Sequence, residues 1–152
     1  MMHAVIFHLA NEERTQWLGA RLAELSPFQP SIWLHGDLGA GKSTLSRACL
    51  RALGVMGAIK SPTYTLVERY GIEGGEAWHL DLYRIGSPEE LDYLGLDDEA
   101  AVFWLIEWPE KGAGVLAAPD VEVWLSYADD GGRMAEISTQ NCEIADVITL
   151  WK

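Results

Sequence analysis

Gly36, Gly41, Lys42 and Ser43 fill every fixed position of the pattern glycine, any four residues, glycine, lysine, serine or threonine, within the run Gly36-Asp37-Leu38-Gly39-Ala40-Gly41-Lys42-Ser43-Thr44. Glycines at 36, 39 and 41 let a backbone turn tightly and bring its N–H groups to phosphate oxygens, at a helix N-terminus whose dipole already favours anions. In such a loop Lys42 is expected to reach the β- and γ-phosphates of a nucleoside triphosphate, and the Ser43 hydroxyl to ligate magnesium. A second chemical signal is Val102-Phe103-Trp104-Leu105-Ile106-Glu107, five apolar residues without alternation that end in a carboxylate. Such a run suits a strand covered on both faces, and its terminal acid suits a Walker B position that binds or orients the metal beside the loop. A third is the polar segment Ser61-Pro62-Thr63-Tyr64-Thr65, whose Thr63 hydroxyl can join the metal or γ-phosphate shell, as switch segments do.

These groups need a frame. Ile32-Trp33-Leu34 reads as a buried strand entering the glycine loop, and Leu45, Ala48, Cys49, Ala52 and Leu53 recur at helical spacing after it. Upstream, Val5 to Phe7 make a first strand, and Asn11 followed by Glu12 and Glu13 reads as a helix cap with acids in the first turn. Trp17, Leu18, Leu22 and Leu25 mark the buried face of that helix, whose start lies close enough in sequence to the loop strand for Asn11 to approach a bound base. Downstream, Thr65 to Tyr70 and Ala77 to Tyr83 flank a glycine-rich turn and are expected to pair as a hairpin, with His79 and Asp81 on one face. Pro88 to Leu94, capped by Ser87, predicts a short acidic helix. Val121 to Leu125 alternate and are separated by Asp129-Asp130-Gly131-Gly132 from Met134 to Ser138, which predicts a second hairpin with Arg133 at its turn, positioned to reach a nucleotide. Val147 to Trp151 form a last apolar segment of open type.

The 152 residues suit one domain with a sizeable core. Charge is unbalanced, with 11 basic against 23 acidic side chains and a net of −12, and no basic stripe emerges. A chain of this kind is not expected to grip RNA or DNA by its own surface, which needs Lys and Arg to neutralise phosphates. Two cysteines, Cys49 and Cys142, are too few for a disulfide framework, and Cys49 falls on the apolar helix face. Neither a signal peptide nor a membrane span is expected, which leaves the cytosol as the default compartment.

Four segments in this order, Gly36 to Thr44, Ser61-Pro62-Thr63-Tyr64-Thr65-Leu66-Val67, His79-Leu80-Asp81-Leu82-Tyr83-Arg84 and Ile106-Glu107-Trp108-Pro109-Glu110, resemble the TsaE family of bacterial ATPases needed to make threonylcarbamoyladenosine in tRNA. The resemblance runs from about Asn11 to Arg133. It implies an α/β, P-loop NTPase-like domain over 1–152, with a mostly parallel central sheet flanked by helices and antiparallel hairpin strands near the C-terminus. It also implies a cytoplasmic ATPase that uses ATP and magnesium and works with TsaB and TsaD, resetting that complex between turnovers and meeting tRNA only through it. Carried to matching positions, Gly39, Ala40, Gly41, Lys42, Ser43 and Thr44 would be the phosphate cradle, and Asn11 and Arg133 further nucleotide contacts. Ser43 and Glu107 would be magnesium ligands, and Lys42, Asp81 and Glu107 the catalytic set. The family loop often reads Lys-Thr-Thr where this chain has Lys-Ser-Thr, and either residue presents a hydroxyl.

Two other functions use the same loop. A small-molecule or nucleotide kinase would bring a lid with arginines over the γ-phosphate, whereas Arg69, Arg84 and Arg133 are scattered. A nucleotide-dependent binding switch would hydrolyse little and act through a partner. Asp81 is the alternative to Glu107 as the dominant metal carboxylate.

Overall fold

The computed structural model describes all residues 1–152. Seven strands form one sheet in the order β1-β7-β6-β2-β5-β4-β3, with β1 at His3–Leu9, β2 at Ser31–His35, β3 at Val67–Ile72, β4 at Gly75–Asp81, β5 at Ala101–Glu107, β6 at Val121–Tyr127 and β7 at Arg133–Thr139. The four central strands β6, β2, β5 and β4 are mutually parallel. Both margins are antiparallel: β3 returns along β4, while β7 returns along β6 and carries β1 on its outer edge. Antiparallel pairing is thus not confined to the C-terminal hairpin: it includes the mid-chain hairpin β3–β4 and the pairing of β1 with β7.

Alternation along the central strands divides the apolar residues between two cores. Ile32 and Leu34 of β2, with Phe103 and Leu105 of β5, pack with Leu18, Leu22, Leu45, Cys49 and Leu50 from α1 (Glu12–Ala23) and α2 (Lys42–Ala52). Ile144 and Ile148 of α3 (Cys142–Ile148) and Trp151 belong to the same core, so the last apolar segment finishes a helix against the sheet. Trp104 and Ile106 face the other way, with Trp78 and Leu80 of β4, and are covered by 3₁₀ turns at Pro88–Tyr93 and Pro109–Gly112. The uninterrupted apolar run of β5 is therefore buried on both faces, as its lack of alternation predicts.

Three local expectations change. The segment 88–93 is a 3₁₀ turn with Leu91 as its only buried residue, because the sequence offers no repeated apolar stripe to hold a longer helix against the sheet. The buried stripe of α2 runs through Leu45, Cys49 and Leu50, and Ala52 is exposed. All three α-helices serve one core, and the opposite face is roofed by turns.

Close packing of α1 on α2 passes through Gly19. A Cβ there would lie 2.5 Å from the Leu45 carbonyl oxygen and 2.8 Å from the Ala48 Cβ. The missing side chain lets α1 lie directly on the helix that follows the glycine loop.

Candidate functional site

The glycine loop joins the C-terminal end of β2 to the first turn of α2. Gly36, Gly39 and Gly41 have φ of 149°, 83° and 110°, conformations that side chains with a Cβ seldom adopt. At Gly36 space is also decisive, since a Cβ would meet the Leu125 carbonyl oxygen at 2.8 Å. Ala40 closes the turn by donating its N–H to the Asp37 carbonyl, and Gly41 is the N-cap of α2. The free N–H groups of the first helical turn thus point out of the loop, where the helix dipole is positive.

Lys42 is 5% exposed. Its Nζ donates to the Gly36 carbonyl and stands 4.0 Å from the centre of the Trp108 ring. Burial holds its pKa below the ordinary lysine value of 10.5, opposed by the nearby negative charges of Glu107, Asp81, Glu110 and Asp37. Trp108 reaches the lysine because the residue just after β5 takes a left-handed turn, with φ 55°. A bulky non-glycine residue held in that region carries strain that the surrounding contacts must offset.

Parallel pairing of β4 with β5 makes Asp81 and Glu107 register partners at the carboxyl ends of adjacent strands. Both carboxylates are buried. Glu107 Oε2 lies 2.6 Å from His79 Nε2. Asp81 accepts from the Tyr83 N–H at 3.0 Å and from the Thr63 hydroxyl at 3.4 Å. Thr63 is in turn 2.7 Å from the Ser61 hydroxyl. The Ser61–Thr65 segment is thereby pinned to the end of β4, and its exit is strained at Leu66, φ 70°, whose N–H bonds the Pro62 carbonyl and whose carbonyl accepts from the Asp81 N–H.

Asn11 and Arg133 come to the same loop from its other side. With Thr15, Gly39, Gly41 and Thr44 they line a cavity of about 340 Å³. The Asn11 side chain also caps α1, accepting from the Arg14 N–H at 3.0 Å. Arg133 donates to the carbonyls of Gly131 and Gly132, each at 3.1 Å, and to that of Gly39 at 3.3 Å. Its guanidinium lies 4.3 Å from the Tyr127 ring, and the Tyr127 hydroxyl donates to the Leu38 carbonyl at 3.3 Å. The hairpin β6–β7 therefore braces the glycine loop as well as lining the cavity. Sequence alone gives no role to His79, Trp108, Tyr127 or Thr15. The alternation of His79 with Asp81 is visible there, but its partner lies on another strand.

As a metal centre the site supplies oxygen: the exposed Ser43 hydroxyl, and a Glu107 carboxylate whose Oε1 makes no hydrogen bond. No group of three or more His, Cys, Asp or Glu side chains is arranged to hold a metal. Hard oxygen donors in small number fit magnesium, which takes its remaining ligands from water and phosphate.

Residues 9–135 match the family model described as threonylcarbamoyl adenosine biosynthesis protein TsaE. The chain belongs to the TsaE family. It is 47% identical over 112 residues to the tRNA threonylcarbamoyladenosine biosynthesis protein TsaE of Haemophilus influenzae, covering 72% of this chain and 71% of that one. To the protein of the same name from Nostoc it is 37% identical over 150 residues, 92% of this chain and 89% of that one. The TsaE fold is also that of the crystal structure of YdiB from Bacillus subtilis, with a TM-score of 0.75 over 98% of this chain and 94% of the other at 23% identity. The segments Gly36–Thr44, Ser61–Val67, His79–Arg84 and Ile106–Glu110 all lie within the matched span. No helix is long and apolar enough to cross a membrane.

Proposed function

We propose that this chain is the magnesium-dependent ATPase component of the cytoplasmic machinery that makes threonylcarbamoyladenosine in tRNA, acting with TsaB and TsaD to reset the complex between turnovers. The observation that carries the reading is the meeting of the glycine loop at the start of α2 with Asp81 and Glu107, paired at the ends of β4 and β5. Phosphate oxygens are received by the backbone N–H groups of Gly39 to Thr44, and the Lys42 ammonium supplies the compensating charge. The nucleoside lies in the cavity bordered by Asn11, Thr15 and Arg133. Ser43 and Glu107 hold the magnesium ion, which when bound neutralises charge on the phosphate oxygens. Asp81 keeps the Ser61–Thr65 segment against the site through Thr63, so the loop and the carboxylate act together. A net charge of −12 supports leaving tRNA to the partners.

Calorimetric titration with ATP and magnesium tests the reading. Saturable binding that magnesium strengthens, and that Lys42→Ala abolishes, is expected. Equal binding by Lys42→Ala, or magnesium-independent binding, would contradict it.

A further inference from the structure

We infer that His79 is the positioning residue for Glu107, holding one carboxylate oxygen inside the fold so that Oε1 is free for the metal. This rests on the reading of Ser43 and Glu107 as the magnesium pair. His79 and Glu107 are 4% and 5% exposed, and their 2.6 Å contact is the only hydrogen bond either side chain makes. A carboxylate only accepts, so the ring donates through Nε2. One Glu107 oxygen is thus held inside the fold and Oε1 is left for another ligand. Buried carboxylates retain an orientation only when such a partner holds them, and outer partners of this kind alter metal affinity about 10–100-fold when removed.

The ring has a second side. Nδ1 is buried and has no hydrogen-bond partner in the protein. His79 lines a cavity of about 20 Å³ together with Ser43, Lys60 and Ser61. That volume holds one water molecule, and Ser43, Arg47, Lys60 and Ser61 bring polar groups to its rim. The ring therefore stands between the Glu107 carboxylate, the first turn of α2 and the start of the Ser61 segment.

Magnesium titrations at fixed ATP, reading bound nucleotide, compare the wild type with His79→Gln and His79→Asn; nucleotide affinity without metal and melting temperature are read alongside. The Gln amide can reach Glu107, whereas the Asn amide is one carbon too short. His79→Asn is expected to raise the half-saturating magnesium concentration about tenfold or more, with metal-free ATP affinity within twofold, and His79→Gln is expected to restore most of the difference. A ligand-free proton NMR spectrum gives a second reading: a slowly exchanging, downfield ring N–H resonance that moves upfield in Glu107→Gln, whose neutral amide oxygen accepts more weakly. Unchanged magnesium dependence in a folded His79→Asn, or an equal loss in both variants, overturns the inference while leaving the ATPase reading intact. A wild type whose ATP binding ignores magnesium overturns both. If neither variant folds, absence of the ring N–H resonance from the wild type overturns the inference, and its sensitivity to Glu107→Gln supports it.

Discussion

Replacing Glu107 separates two duties of one carboxylate. In Glu107→Ala the His79 Nε2–H loses its only acceptor on a ring whose other nitrogen already has no partner, and an unsatisfied buried donor costs about 1–3 kcal/mol. The same substitution removes the largest of the negative charges that oppose the desolvation of Lys42, leaving a buried ammonium with weaker compensation from Asp81, Glu110 and Asp37. Together these effects come to about 3 kcal/mol, or a fall in melting temperature of roughly 6–12 °C for a domain of this size. Glu107→Gln keeps an acceptor for His79 at nearly the same volume and loses only the charge, so its cost is about 1 kcal/mol. Urea and thermal unfolding followed by circular dichroism should rank wild type above Gln and Gln above Ala, with about 2 kcal/mol between the two variants. Both variants should lose the magnesium enhancement of ATP binding. Equal stability of Gln and Ala, or an Ala variant within about 0.5 kcal/mol of wild type, would show that the His79 contact does not hold this corner of the fold.

Other consequences follow from the same geometry. Asp81→Asn should lower the rate of ATP hydrolysis about 100-fold while ATP affinity stays within twofold, because the Asp81 carboxylate bonds Thr63 of the Ser61–Thr65 loop and not the glycine loop; a weakened affinity with an unchanged rate would exchange the roles of Asp81 and Glu107. Lys42 has a folded pKa below its unfolded value, so the folded state binds protons less readily. Its penalty on stability is full below the folded pKa and is relieved as pH rises from there toward 10.5. Stability measured against pH should therefore gain more across that window in wild type than in Lys42→Met, and identical slopes would contradict the buried ammonium. Gly19→Ala drives a Cβ into the Leu45 carbonyl and should cost about 2 kcal/mol in chemical denaturation, whereas an unchanged midpoint would mean that α1 and α2 separate freely.

The parts of this site that could be read from sequence are those encoded locally. Glycines at 36, 39 and 41 are required by backbone angles within a single turn of chain, so the loop declares itself wherever it occurs. The five apolar residues before Glu107 report a strand buried on both faces, and Asn11 marks the helix it caps. What could not be read depends on register between distant strands. His79 meets Glu107 only because β4 and β5 pair so that Asp81 faces Glu107, and nothing in either segment alone fixes that alignment. The pairing of β1 with β7 likewise joins the two ends of the chain, beyond the reach of any local pattern. Arg133 was legible as a basic residue at a hairpin turn, but its three bonds to carbonyls, one of them on Gly39, follow from where that hairpin packs.

The rate of ATP hydrolysis by the purified chain, alone and with a TsaB–TsaD complex, bears most directly on the central claim, with Lys42→Ala as the blank. A slow rate that rises when the complex is added and vanishes in the variant is the predicted result. A rate indifferent to the complex, with or without tRNA, would contradict a partner-coupled ATPase.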